Sequence, residues 1–284
     1  MTLLDRPTNL HTPESATGVD VFDVYDAPNG DQQVVVIGPS DFRAPAAFKI
    51  EKDNMILMGD TPENAEADLL HGYENARYLT LYPKNEAAGT QNMLGVVRIT
   101  DAHPITKRLI TVEQITELTH EDYDEVFEHI VIQTGQSDPS KIFDINMYGL
   151  SGDVITAGFG DSQEGKQLFR DAKHNLMYAM CREGVRAHQE NGATTALAFF
   201  NESSIKAFTS RGYDWKALNG YKPMVEVRPD ASGTMQEGLT LLPTVLDIAQ
   251  HIERMSTGAT EHLGQIATFM FAKGIALPRP VSSL

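Results

Sequence analysis

The segment "GDSQEGKQ", Gly160–Gln167, sets two glycines and a lysine at the spacing of a phosphate-binding loop, where backbone N–H groups cradle phosphate and the lysine adds charge. Nucleotide hydrolysis also needs a Ser or Thr hydroxyl directly after the lysine to hold magnesium, and that residue is Gln167. The next strand, "TTALAFF", runs into Asn201 rather than an acid. A P-loop-like nucleotide-binding protein therefore stands only as a lesser alternative. "GLSGD", Gly149–Asp153, lacks the second glycine of a nucleophile elbow, so Ser151 reads as a turn residue. The nine histidines never fall at zinc spacing and no metal is expected; Asp171 and His174 read as a solvated pair on one helix face. Cys181, the single cysteine, excludes an internal disulfide and reads as a small buried hydrophobe rather than a thiol nucleophile.

Charge narrows the partners. A formal net charge of −16 over 284 residues disfavours nucleic acid and anionic membrane surfaces, and at long range it repels an acidic carrier protein. The first residues, "MTLLDRPTNLHTPESATG", lack the basic start and apolar run of a signal peptide, and no later run has the length of a membrane span. A cytoplasmic location is the expectation.

Residues 1–18, rich in Pro, Thr and Ser, read as a flexible arm. Two extended runs around Pro28-Asn29-Gly30 read as a hairpin, and helical spacing follows from Asp41 to Tyr73 with a helix start before Pro62. "ARYLTLYP" (76–83), "MLGVVRIT" (93–100) and "KIFDINMYGL" (141–150) read as strands. Thr119 to Gly135 reads as one acidic amphipathic helix. A glycine-punctuated loop then leads to a long helix from about Glu164 to Glu190, closed by Gly192. "TTALAFF", a short helix and "YKPMVEVRP" complete residues 19–235, a mixed α/β layer sandwich. Residues 236–284 read as two amphipathic helices, one carrying Leu242, Val245, Ile248, Ala249, Ile252 and Met255 and the other Leu263, Ile266, Ala267 and Met270. They either pack on the domain or form a homodimer face.

This order of elements resembles the GNAT N-acyltransferase superfamily. Asn201, the short helix to Arg211 and Gly212-Tyr213 match the layout of its C-terminal motif, and Gly95 with Arg98 in "LGVVRIT" is similar to its G-x-x-R strand. The spacing from Arg77 to Arg98 and the tract "YENARYLTLYP" resemble the acyl-homoserine lactone synthase branch. The resemblance covers about 200 residues. It implies a mostly antiparallel central sheet flanked by helices, with an N-terminal strand extension and a C-terminal helical tail. It further implies acetyl-CoA or another acyl-CoA as donor and a small-molecule amine as acceptor.

Within that resemblance the fourth and fifth family strands splay to admit a pantetheine arm. The donor's pyrophosphate is expected at the start of the long helix, near Gly158, Gly160, Gly165 and Lys166, with Asn201 and Phe208 along the arm. Phe208 stands where many members keep a tyrosine acid, which leaves Tyr213 and Tyr221 as substitutes. Asp144, Asn146 and Tyr148 are expected on one strand face. Asp144 would be the base, or else a hydrogen-bonded carboxylate at a strand end, and a backbone amide near Met147 would hold the oxyanion. Arg77 and Arg98 would bind a carboxylate on the acceptor, or else pair with Glu74 or Asp101. The expected function is acyl-CoA-dependent N-acyl transfer. A GNAT-like module without catalysis, predicted by Phe208 and the acidic Asp153, Asp161 and Glu164, is the alternative.

Overall fold

The computed structural model describes residues 18–70, 72–229, 235–275 and 277. The expected arm, apart from Gly18, lies outside them, as does the end of the C-terminal segment. The chain opens with strands β1 (Val21–Asp26) and β2 (Gln32–Ile37), paired as the expected hairpin. Helix α1 (Ala44–Leu57) begins with Pro45 in its first turn, where a missing N–H costs nothing, and α2 is Pro62–Leu70. Strands β3 (Ala76–Pro83) and β4 (Gly95–Thr100) extend the antiparallel sheet.

The single helix expected over 119–135 is instead two, α3 (Ile110–Thr119) and α4 (Tyr123–Thr134). His120 takes the left-handed conformation at φ 61°, which stops α3, and Asp122 with Glu125 forms a capping box that starts α4. Strand β5 (Ile142–Leu150) lies beside β4, and the expected glycine loop after it is largely a helix, α5 (Gly152–Phe159). Helix α6 (Gln163–Asn191) is the long helix, with Ser162 accepting from the Gly165 N–H at its start and Gly192 closing it at φ 69°. Then come β6 (Thr195–Asn201), α7 (Glu202–Thr209), β7 (Lys216–Ala217) and β8 (Met224–Pro229).

The C-terminal segment corrects the two-helix expectation. Leu242 and Val245 belong to a strand, β9 (Met235–Asp247), which runs antiparallel to β6 from Asn201↔Leu241 to Thr195↔Asp247. Helices α8 (Ile248–Ser256) and α9 (Glu261–Ala272) follow. Their stripes, Ile248, Ile252, Met255, Leu263, Ile266 and Met270, are buried in the same core as α6.

The sheet order is β1-β2-β3-β4-β5-β6-β9-β7, with β8 also on β9, and β5–β6 is its parallel pair. Side-chain alternation divides the molecule into a front, where α1 to α4 cover the sheet, and a back, where α5 to α9 do. Leu79, Val97, Ile145 and Ala198 face the back, whereas Tyr78, Val96 and Leu197 face the front. The arrangement is the mixed, mostly antiparallel sheet flanked by helices that the sequence implied. Among the described residues no helix is long and apolar enough to cross a membrane.

Candidate active site

Strands β5 and β6 pair only from Ile142↔Thr195 to Ile145↔Ala198. Beyond that point β5 continues to Leu150 on β4, and β6 continues to Asn201 on β9, with no ladder between them. An opening results, edged by backbone groups that an extended arm can bond.

A bulge sits at its inner end. The register runs from Arg98↔Met147 to Ile99↔Ile145, so Asn146 has no partner on β4. One extra residue shifts the alternation, and this corrects the expectation that Asp144, Asn146 and Tyr148 share a face. Asp144 points to the front toward α3, whereas Tyr148 packs into the back core with α6.

On the front, Asp144 is fully buried and both its oxygens accept from Thr111 in the first turn of α3, Oδ2 from the backbone N–H (3.1 Å) and Oδ1 from the hydroxyl (2.5 Å). Burial pushes its carboxyl up to about 6, against the pull of those hydrogen bonds. The Thr100 hydroxyl donates to Asn146 Oδ1 at 2.6 Å. Asp144 is thus a hydrogen-bonded carboxylate inside β5.

Next to it lies a group that sequence reasoning passed over. Glu51 of α1 is fully buried 3.6 Å from Arg98 Nε, and Arg98, 2% exposed, donates to the Leu69 carbonyl. Both Glu51 oxygens, Arg98 Nε and the Tyr78 hydroxyl are buried without a hydrogen-bond partner among the described residues. Burial lifts the Glu51 carboxyl to about 7 even with the Arg98 charge beside it. Buried polar atoms left unpaired are costly, so a polar group that reached this cluster would be stabilised there. Because Arg98 is the register partner of Met147, and Asn54 of α1 donates to the Leu150 carbonyl at 2.7 Å, this seam lies along the front of the bulged strand. The signal was present in the sequence: Glu51 interrupts the apolar stripe of Ala47, Phe48 and Ile50.

On the back, the Tyr148 hydroxyl is also buried and unpaired; burial raises it, and the charge of Arg211 pulls the other way. Tyr213 is 2% exposed, with its hydroxyl 3.1 Å from the Cys181 sulfur and 3.4 Å from His262 Nε2, and its ring is stacked on His251. Burial pushes the Cys181 thiol up to about 12, so it is no nucleophile. Tyr221 donates instead to Glu121. A cavity of about 30 Å³, lined by Phe143, Ile145, Val185, Leu246, Cys181 and His251 among others, lies beneath the paired ends of β5 and β6 and has room for a water-sized group.

The remaining sequence candidates are dispersed. Phe208 stacks on Phe200 at 5.0 Å within the core, and the Asn201 side chain caps α7 by accepting from the Ser204 N–H. Arg77 and Arg98 are not brought together: Arg98 faces Tyr78 across the ladder on the front, while Arg77 donates to Asp101 at 2.9 Å. Gly158 and Gly165 serve close packing of α5 on α6, since a Cβ at Gly165 would lie 2.5 Å from the Ala157 carbonyl oxygen and one at Gly158 2.5 Å from the Phe169 ring. Gly160 caps α5, and Lys166 lies in the first turn of α6. The near P-loop is thus broken by a helix between strand and long helix. His174 is half-buried against His262, with centroids 5.0 Å apart, rather than solvated with Asp171.

No family model matches the chain, and no curated protein matches it in sequence. Solved structures similar to it include FeeM, an N-acyl amino acid synthase from uncultured soil microbes (12% identity, 76% of this chain and 92% of that one, TM-score 0.40). The AHL synthase LasI is 14% identical over 81% of this chain and 91% of its own, with a TM-score of 0.44. BjaI, a CoA-dependent acyl-homoserine lactone synthase with SAM and isopentyl-CoA, is 14% identical over 84% and 85%, with a TM-score of 0.39. Likeness at this level says nothing of chemistry, which rests on the chain's own residues.

Proposed function

We propose that the protein is an acyltransferase that moves an acyl group from a pantetheine thioester, acetyl-CoA or another acyl-CoA, to the amine of a small molecule bearing a carboxylate. The observation that carries this reading is the opening between β5 and β6 with a bulge at its inner end. The arm lies along the free strand edges, and a backbone N–H at the bulge, near Met147, holds the oxyanion that forms on the thioester carbonyl.

The seam supplies the rest. The acceptor's carboxylate meets Arg98 and its amine meets Glu51, whose elevated carboxyl is suited to taking a proton near neutral pH. Nitrogen attacks the carbonyl carbon, the carbon–sulfur bond breaks, Glu51 takes the amine proton, and the unpaired Tyr148 hydroxyl gives one to the departing sulfur. Asp144 holds α3 against the strand through Thr111 and so positions the seam.

Thiol release from a series of acyl-CoAs, with and without carboxylate-bearing amines, tests this. Amine-dependent release is expected, together with its loss in Glu51→Gln. A second reading, a binding module without catalysis, is favoured by the packing of Phe208 where the resemblance implies a tyrosine. It would show CoA binding with no amine-dependent release.

A further inference from the structure

Tyr213 is where four helices meet on the back of the sheet. Its hydroxyl lies 3.1 Å from Cys181 Sγ of α6 and 3.4 Å from His262 Nε2 of α9. Its ring stacks on His251 of α8 and meets Phe208 of α7 edge to face. His174 of α6 stands edge to face on His262, with centroids 5.0 Å apart. Three imidazoles from three helices thus lie in one contact layer. The backbone beside Tyr213 is tied to the same helices: Arg254 of α8 donates to the Gly212 carbonyl through Nε (3.3 Å) and Nη2 (3.2 Å), and the Thr260 hydroxyl, at the head of α9, donates to the Arg211 carbonyl at 2.9 Å.

None of these imidazoles pairs with a carboxylate among the described residues. His251 Nε2 faces Cys181 Sγ at 3.8 Å, and its Nδ1 is buried without a partner. The charged and titratable groups that face His251 besides Tyr213 and Cys181 are Arg254 on its own helix, His262, and Asp214, whose carboxylate lies 3.3 Å from Lys216 Nζ. Those that face His262 besides Tyr213 are His174 and Arg211; those that face His174 are Asp171, which accepts from Gln167 Nε2, and Arg211. A proton on His251 or His262 would therefore add a buried cation beside arginine and imidazole, with Asp214 and Asp171 engaged elsewhere. Burial holds both imidazoles neutral, lowered from 6.5 to about 4. His251 also lines the cavity beneath the paired ends of β5 and β6, together with Trp215, the single tryptophan, whose Nε1 is likewise buried and unpaired.

We propose that the layer around Tyr213 is an acid-operated latch: neutral imidazoles hold α8 and α9 on α6, and protonation of His251 and His262 loosens the helix pair and opens the cavity behind β5 and β6. The latch stands whether or not the opening binds an acyl donor. Loosened helices return the imidazoles to water and to their ordinary range, so the open form takes up protons that the closed form refuses. Opening is therefore favoured as pH falls from 6.5 toward 4.

The test follows the full chain from pH 7.5 to pH 4 by hydrogen–deuterium exchange, corrected for the intrinsic rate, and by the emission and acrylamide quenching of Trp215. By pH 5, exchange across α8 and α9 should be about tenfold or more faster than at pH 7.5, while β3 and β4 keep their protection. Trp215 emission should shift to the red over the same range, and return to pH 7.5 should restore both signals. His251→Leu and His262→Gln should each cut the acceleration severalfold, and the double variant should abolish it. Should the double variant fail to fold, the single variants decide. Acceleration of α8, α9, β3 and β4 together would mean general acid unfolding and would overturn the proposal. So would an acceleration that survives unchanged in both single variants, or none at all by pH 4.

Discussion

The two faces of the bulged strand carry opposite chemistry. In front, between α1 and α3, lie Glu51 and Asp144, carboxyls that burial pushes up to about 7 and about 6, with Arg98 as their cation. Behind, among α6 to α9, lie Lys173, Arg211 and imidazoles that burial pushes down, His251 and His262 both to about 4. One strand separates buried carboxyls from cations and neutral imidazoles. Under the proposed acyl transfer an amine acceptor would meet the front and an anionic donor the back, because a reaction that joins an ammonium-bearing acceptor to an anionic donor gains from this polarity across the reacting carbonyl.

The sharpest way to break the comparison is to remove the front cation. Arg98→Met leaves Glu51 buried without its partner and should cost about 3–5 kcal/mol. Glu51 can escape by taking a proton, so denaturant unfolding should show a larger loss at pH 8 than at pH 5. Equal losses at both would mean that Glu51 and Arg98 do not interact as drawn.

Glu51→Gln tests the seam's chemistry. Acyl transfer at pH 7.5 should fall about 100-fold or more, and the rise of rate with pH near 7 should vanish. Stability carries the opposite sign. The folded protein holds a Glu51 proton that the unfolded chain releases, so the contribution is full below about 4.5 and lost as pH rises through about 7; Asp144 acts likewise up to about 6.

The back face should mirror this. His251, lowered from 6.5 to about 4, stays neutral when folded, so stability drops as pH falls from 6.5 toward 4. His251→Leu should remove that acid loss, at most about 3 kcal/mol at pH 4, in melts across that range. Thr111→Val is the mildest change: it takes the hydroxyl from Asp144 Oδ1 and should cost about 1–3 kcal/mol by denaturant unfolding, with the acid-side shape of the stability curve altered through Asp144.

What the sequence made legible follows from local rules. The strand at Ala76–Pro83 and the closure of α6 at Gly192 agree with their expected bounds because alternation and a left-handed glycine are local signals. The segment Leu242–Met255 misled because Leu242, Val245, Ile248 and Ile252 fit helical spacing across a strand-to-helix junction at Asp247. Pro243 inside that pattern was the sign against a helix. Helix α5 hid in glycines that looked like loop and proved to be contacts between helices. The bulge at Asn146 is set by pairing with β4, a tertiary fact with no local signature, and with it went the correct face for Tyr148.

The central claim is that the unpaired edges of β5 and β6 receive the donor's arm. Hydrogen–deuterium exchange of the full chain with and without CoA tests it most directly. Slowed exchange is predicted at residues 146–150 and 199–200, where backbone groups would bond the arm. Protection confined to other segments, with these two unchanged at saturating CoA, would contradict the account.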